Sequence, residues 1–226
     1  PINIAVSKVQ PSGKVINKNY NKVFIIGFNK TGTTTLKRTL MLWGFKIGNQ
    51  QIASMMVEDY ANERYERIIK LCKTADVFQD VPFSFPRLYK VLDKEFPNSK
   101  FILSIRDDED QWYKSLVNFH RKKVEKKQGE IPTKEDLSKV NNIYRGFLLD
   151  VKKLVWDYPD IELYDEQHYK AKYIEHTKDV REYFKNRPDD LIEINVNQKS
   201  SFPRLVNFLN VKTDMKEFPW MNKTKK

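Results

Sequence analysis

The stretch GFNKTGTTT, which begins at Gly27, has the residue types of a phosphate-binding loop. The usual nucleotide-binding loop reads G-x-x-x-x-G-K-[ST], and Gly27, Gly32 and Thr34 stand at matching positions. Thr33 occupies the lysine position, and a lysine lies inside the loop instead, at Lys30. Backbone N–H groups and threonine hydroxyls can hold a terminal phosphate, while Lys30 can neutralise a bridging oxygen as leaving-group charge develops. This chemistry requires no metal ion.

Two further charged residues follow short, apolar, β-rich runs. Asp80 ends the run ADVFQD, and Arg106 ends the run KFILSIR. A carboxylate can take a proton from a hydroxyl group, and an arginine can bind a phosphate. Simpler interpretations remain open: Asp80 could cap the turn before Pro82, and Arg106 could form an ion pair with Asp107 or Asp110.

The elements that must position these residues are strands alternating with amphipathic helices. The pattern predicts an α/β fold with a central parallel β-sheet flanked by helices. Ligands bind outside the carboxyl ends of the strands in such sheets, so the loop, Asp80 and Arg106 should converge on one crevice. The predicted strands cover residues 22–28, 75–82, 100–107 and 189–196. The main predicted helices begin near residues 33, 52, 85, 109, 134, 166 and 201.

The length of 226 residues suits one domain. We interpret residues 1–21 as an N-terminal extension and residues 22–226 as a single domain with a helical insertion at about 130–188. No run is apolar and long enough to span a bilayer, and the N-terminal residues show no signal-peptide pattern, which predicts a cytoplasmic protein without membrane insertion. Cys72 is the single cysteine, so an intramolecular disulfide is excluded and a reducing compartment is expected.

The formal net charge of +11 suits an anionic ligand. No nucleic-acid-binding motif accompanies this charge, and the densest basic run, at 121–128, is interpreted as a solvated helix face. Nucleic acid is therefore not the expected partner. The three histidines and one cysteine do not have the spacing of metal ligands, so no metal site is predicted.

Three motifs in the same order resemble those of sulfotransferases. NKTGTTT resembles the PKSGTT or RTGT loop, which binds the 5′-phosphosulfate of 3′-phosphoadenosine 5′-phosphosulfate (PAPS). KFILSIRDDEDQWYKSL is similar to the segment whose arginine and serine bind the 3′-phosphate, here Arg106 and Ser115. Ser115 is nine residues from the arginine instead of eight, where Lys114 stands. NFLNVKTDMKEFPWMNKT is similar to the FLG…FPxxN ending, and the resemblance covers residues of about 22–224.

The resemblance implies a P-loop NTPase-like sulfotransferase fold, with PAPS as sulfonate donor. FQDVP is similar to the family's KTHLP segment, whose histidine is the catalytic base, so Asp80 and Lys30 are the implied catalytic residues. Thr35 replaces the tryptophan that stacks on adenine in many members, so adenine contacts are expected from the C-terminal loop. The implied donor-binding residues are Asn29, Lys30, Thr31, Gly32, Thr33, Thr34, Thr35, Arg106, Ser115 and Lys223.

The expected reaction is sulfonate transfer from PAPS to an acceptor hydroxyl. The positive charge favours an anionic glycan or another acidic acceptor, while steroid, phenol, sugar and lipid hydroxyls and the oligomeric state stay open. Two alternatives remain: a P-loop kinase or NTPase, which would need Mg²⁺, and a non-catalytic module that binds nucleotides or polyanions.

Overall fold

The computed structural model describes residues 13–15 and 18–219, and its centre is a four-stranded parallel sheet. The strands, in chain order, are β1 (Gly13–Val15), β2 (Val23–Ile25), β3 (Val77–Phe78), β4 (Lys100–Ser104), β5 (Leu191–Ile194) and β6 (Val211–Thr213). The sheet has the order β3-β2-β4-β5, and each of its strands lies within a segment predicted to be a strand. The predicted α/β fold with a parallel sheet is confirmed at this level.

Helices follow or precede each of these strands. They are α1 (Thr33–Leu42), α2 (Gln50–Ser54), α3 (Val57–Ala61), α4 (Glu66–Cys72), α5 (Leu88–Glu95), α6 (Glu109–Lys123), α7 (Lys134–Lys139), α8 (Phe147–Val155), α9 (Glu166–Phe184) and α10 (Ser201–Phe208). The helix predicted from residue 52 is three short helices, α2 to α4. The helix predicted from residue 134 is divided into α7 and α8, because Val140 is extended and Gly146 has a φ of 87°.

Successive residues of the strands face opposite sides of the sheet and build two separate cores. On one side, Phe24 and Phe101 pack against α4, α5 and the end of α9. On the other side, Val23 and Ile102 pack against α1 and α10. A third apolar cluster joins α6, α8 and the start of α9 beyond the carboxyl ends of the strands, and Phe28 of the β2–α1 loop belongs to it. Helices therefore cover the carboxyl ends of the strands, where the crevice was predicted.

An antiparallel pair, β1 with β6, lies outside the central sheet and was not predicted. Gly13 is opposite Thr213, and Val15 is opposite Val211. A side chain at position 13 would lie 2.4 Å from the Trp43 ring and 3.0 Å from Thr213, so only glycine allows this approach. Residues 13–15, which were assigned to an N-terminal extension, thus pair with the C-terminal part of the fold.

Candidate functional site

The loop between β2 and α1 follows the central strand and packs closely on the neighbouring strand. A Cβ at Gly27 would lie 2.1 Å from the Ser104 carbonyl oxygen, and a Cβ at Gly32 would lie 2.6 Å from Val196. The buried Thr31 hydroxyl donates to the Phe28 carbonyl oxygen at 2.5 Å and lies 2.6 Å from the Ser104 hydroxyl. The Thr31 hydroxyl therefore holds the loop in shape and is not directed to a ligand.

The loop ends at the N-terminus of α1, where the predicted phosphate site lies. Gly32 is the N-cap with φ of 99°, so no side chain caps the first helical N–H groups. Uncapped N–H groups at a helix N-terminus favour anions. Three threonines of the first turn were predicted to bind the donor. Thr34 is exposed, whereas Thr33 and Thr35 are buried, so Thr34 is the one most accessible to a ligand.

Asn29 connects the loop to the two neighbouring elements. Its side-chain amide donates to Asp80 Oδ1 at 2.6 Å, and its carbonyl oxygen accepts a hydrogen bond from Trp112 Nε1 at 3.0 Å. One N–H of the side-chain amide is therefore used to position Asp80. Trp112 is fully buried, so its ring belongs to the core while its Nε1–H holds the loop.

Asp80 stands at the end of β3, as predicted, with a left-handed φ of 59°. Its Oδ1 also accepts the Val81 N–H at 2.9 Å, so Asp80 does stabilise the turn before Pro82. Oδ2 accepts no hydrogen bond from the described residues. Burial of the carboxyl raises its pKa above the ordinary value, while Lys30, the Val81 N–H, Lys37 and Asn29 act in the opposite direction. A carboxylate with one occupied and one available oxygen can still accept a proton.

Lys30 also has a left-handed backbone, with φ of 72°. Its Nζ lies 3.1 Å from the centre of the Phe119 ring, over the face of that side chain. Burial lowers the pKa of Lys30 to about 8; Asp80 raises it, and Lys123 and Arg106 lower it further. The ammonium group is thus partly desolvated, and its electrostatic interaction with Asp80 is stronger than it would be in water.

Arg106 is tied to the same loop from the end of β4. Its Nε donates to the Lys30 carbonyl oxygen at 2.6 Å, and its backbone N–H donates to the Tyr173 hydroxyl at 3.1 Å. Asp107 instead accepts from the Asn195 amide at 2.6 Å, and Asp110 pairs with Lys170. No carboxylate of a described residue lies within 4.0 Å of the Arg106 guanidinium, so its terminal nitrogens can bind an anion.

Ser115 lies on the side of α6 that faces the loop. Trp112, three residues earlier, contacts Asn29, and Phe119, four residues later, contacts Lys30. Residues at these spacings share one helix face, so Ser115 belongs to the same face. Lys114 is exposed and is placed on a different side. The geometry favours Ser115 over Lys114 as a ligand-facing residue of this helix.

Two residues of α9, His176 and Tyr173, form hydrogen bonds to the backbone next to the site, and neither was predicted to do so. His176 Nε2 donates to the Ile26 carbonyl oxygen at 2.8 Å, just before the loop, and the ring packs 4.7 Å from Phe28. Burial lowers the pKa of His176 to about 4, so the ring is neutral near pH 7. Tyr173, one turn earlier, accepts the Arg106 N–H and stacks on Trp112 at 4.7 Å.

The structure thus brings together the loop, Asp80, Arg106 and the Ser115 face of α6. Lys223, the remaining predicted donor-binding residue, lies outside the described residues. Within the described part of the chain, no group of three or more His, Cys, Asp or Glu side chains could hold a metal ion. None of the helices described is both long and apolar enough to cross a membrane.

A profile of the sulfotransferase domain family matches residues 22–226 of this chain. No curated protein matches the chain.

Proposed function

We propose that this chain, which belongs to the sulfotransferase domain family, transfers a sulfonate group from PAPS to an acceptor hydroxyl. In this proposal the β2–α1 loop is a P-loop-like phosphosulfate site. Residues 22–226 form one transferase domain, with a helical insertion at about 130–188.

The observation that carries the proposal is the placement of Lys30. Lys30 belongs to the loop whose Asn29 side chain donates to the Asp80 carboxylate, and the Lys30 carbonyl oxygen accepts from Arg106 Nε. A cation, a candidate base and a second anion-binding cation are thereby held together by one loop, through the Asn29 side chain and the Lys30 backbone. Sulfonate transfer needs these three functions within the length of one nucleotide.

The residues present fit the two charged ends of PAPS. The uncapped N-terminus of α1 and the exposed Thr34 can hold the 5′-phosphosulfate. The free terminal nitrogens of Arg106, with Ser115 on the facing side of α6, can hold the 3′-phosphate. PAPS supplies an activated sulfonate group whose bond to the 5′-phosphate oxygen breaks during transfer.

The reaction assigned to these residues is an in-line displacement. The acceptor oxygen forms a bond to sulfur while the bond between sulfur and the bridging oxygen breaks. Asp80 takes the hydroxyl proton through Oδ2, and the Lys30 ammonium neutralises the charge that develops on the departing phosphate. The products are the sulfated acceptor and adenosine 3′,5′-bisphosphate.

The proposal is tested by incubating the protein with sulfur-35-labelled PAPS and a panel of hydroxyl acceptors, without added metal. We expect labelled product and stoichiometric bisphosphate. Phosphate release from ATP and Mg²⁺ without any sulfonate transfer would support a P-loop kinase or NTPase instead. Binding of the bisphosphate without turnover on any acceptor would support the non-catalytic module.

A further inference from the structure

Two ammonium groups approach the same aromatic ring at the outer side of the candidate site. Lys30 Nζ is 3.1 Å and Lys123 Nζ is 5.7 Å from the centre of the Phe119 ring. Neither ammonium has a carboxylate of a described residue within 4.0 Å. The charge of Lys123 is also one of the causes that lower the pKa of Lys30. Two like charges held this way repel each other, and an anion placed between them would relieve the repulsion.

The order of residues along α6 shows which substrate Lys123 can reach. The helix starts next to Arg106, where Asp108 is the N-cap, and passes the loop at Trp112 and Phe119. Lys123 is one turn farther, about 6 Å beyond Phe119 along the axis. In the proposed function the 3′-phosphate binds at Arg106 and the sulfonate lies near Lys30, so Lys123 would lie beyond the sulfonate end of the donor, where the acceptor would bind.

The side chain of Lys123 is available for this contact. It is exposed, and it follows Ser115 and Phe119 at intervals of four residues, so it continues the face of α6 that borders the crevice. Lys122 is also exposed and also in the last turn of α6, but it points about 100° away around the helix. The two lysines therefore share charge and exposure and differ in direction.

We propose that Lys123 selects acceptors that carry an anionic group, such as a carboxylate, close to the hydroxyl that receives the sulfonate. The inference rests on the proposed sulfonate transfer and adds a substrate class and a specificity residue. The carboxylate would lie near Phe119 between Lys123 and the crevice, and the neighbouring hydroxyl would reach Asp80. The net charge of +11 does not indicate which lysine would bind the acceptor. The position of Lys123 on the same face of α6 as Ser115 and Phe119 does.

The first test measures binding and does not depend on turnover. Protein saturated with adenosine 3′,5′-bisphosphate is titrated with two matched pairs of compounds: 4-hydroxybenzoate and 4-hydroxybenzamide, and unsulfated chondroitin and its carboxyl-reduced form. We expect the carboxylate member of at least one pair to bind more tightly. Lys123→Ala should weaken that member about tenfold, the size of one charged hydrogen bond, and leave the neutral member within twofold. Lys122→Ala should change neither.

The second test repeats the comparison with labelled PAPS, where Lys123→Ala should lower kcat/KM for the carboxylate acceptor selectively. Equal binding of both members in both pairs would overturn the inference, as would equal losses for both members in Lys123→Ala. An equal effect of Lys122→Ala would show a general surface-charge effect and overturn it as well. Selective binding without any sulfonate transfer would support the anion site while contradicting the proposed function.

Discussion

Two contacts position the lysine inside the loop. Arg106 Nε donates to the Lys30 carbonyl oxygen, and the Lys30 ammonium lies over the Phe119 ring. Thr33, at the usual P-loop lysine position, is the first residue of α1 and is buried. A lysine at that position would enter a packed region, whereas the Lys30 ammonium lies over the Phe119 ring.

Replacing Lys30 by methionine should separate catalysis from binding. Lys30→Met keeps an apolar stem of similar length and removes the charge that the proposed mechanism places at the departing oxygen. We expect the transfer rate to fall by roughly 10²–10³, the usual loss for one preorganised contact to a developing anion. Bisphosphate affinity, measured by calorimetry, should fall much less because the N-terminus of α1 is unchanged.

The double variant Lys30→Met/Thr33→Lys is the matched control for that experiment. It restores the number of charges but places the new lysine at the buried P-loop position. We expect no recovery of sulfonate transfer. Recovery, or a gain of ATP-dependent activity, would mean that the location of Lys30 has no special importance.

Replacing Asp80 by asparagine should remove the base and keep the turn. Asn retains an oxygen for the Val81 N–H, so bisphosphate binding should stay close to wild type. The rate should fall by roughly 10²–10⁴. Since burial raises the pKa of Asp80, the wild-type rate should decline with falling pH at a higher pH than an exposed carboxyl would give, and this decline should be absent in Asp80→Asn. A rate within a few-fold of wild type at all pH values would show that Asp80 is structural.

At the scale of residues, the sequence was enough to predict which charged residues lie near one another. It did not predict the residues that hold them in place. Lys30, Asp80 and Arg106 follow predicted parallel strands, and the ends of such strands meet. Phe119 and His176 carry no such signal, because each lies in the middle of an amphipathic helix where an aromatic residue is usually core. The i, i+3, i+7 spacing of Trp112, Ser115 and Phe119 was the one available indication that α6 faces the loop.

At the scale of elements, α9 forms hydrogen bonds to the backbone just after two different strands. His176 donates to the Ile26 carbonyl oxygen after β2, and the Tyr173 hydroxyl accepts from the Arg106 N–H after β4. The longest described helix, α9, therefore supports the proposed donor site. A shift of α9 would move the loop and Arg106 together.

Removing the His176 hydrogen bond should disturb nucleotide binding more than packing alone would. His176→Leu leaves the Ile26 carbonyl oxygen without its partner, and we expect bisphosphate affinity to fall about tenfold, as for the loss of a buried hydrogen bond. His176→Gln, whose amide can occupy the Nε2 position, should restore most of that affinity. Calorimetry well below each melting temperature gives the measurement.

Val180→Ala is the control for general destabilisation, because Val180 is fully buried one turn farther along α9. It should lower the melting temperature while leaving bisphosphate affinity within twofold. The pKa of His176 adds a second readout. Because it is lowered from 6.5 to about 4, its contribution to stability is complete above pH 6.5 and declines as the pH falls toward 4. Wild type should therefore lose stability relative to His176→Gln across that interval.

Element boundaries were predicted less well where pairing is not local. β3 has only two residues, Val77 and Phe78, because Asp80 turns the chain with positive φ. β1 and β6 have three residues each, and neither shows enough alternation to be recognised alone. The central strands β2 and β4 were recognisable because both of their faces are buried, which produces continuous apolar runs.

At the scale of the whole molecule, the proposed donor site is assembled from distant parts of the chain, so its ligand should stabilise the folded state as a unit. Adenosine 3′,5′-bisphosphate should raise the melting temperature in the presence of a chelator. At a hundred times its dissociation constant it should add about 2.7 kcal/mol to the free energy of unfolding. AMP, which lacks the 3′-phosphate, should add clearly less, and equal shifts would remove the case for Arg106.

The pairing of β1 with β6 also sets an order of events during synthesis. Gly13 lies opposite Thr213, a separation of 213 − 13 = 200 residues. A growing chain exposes residues 13–15 long before their partner strand exists, while β2, β3 and β4 can already associate from residues 23–104. The first of the described strands to be made is therefore the last of them to be paired, and Trp43, which Gly13 covers, is left uncovered on its outer edge until translation has passed residue 213.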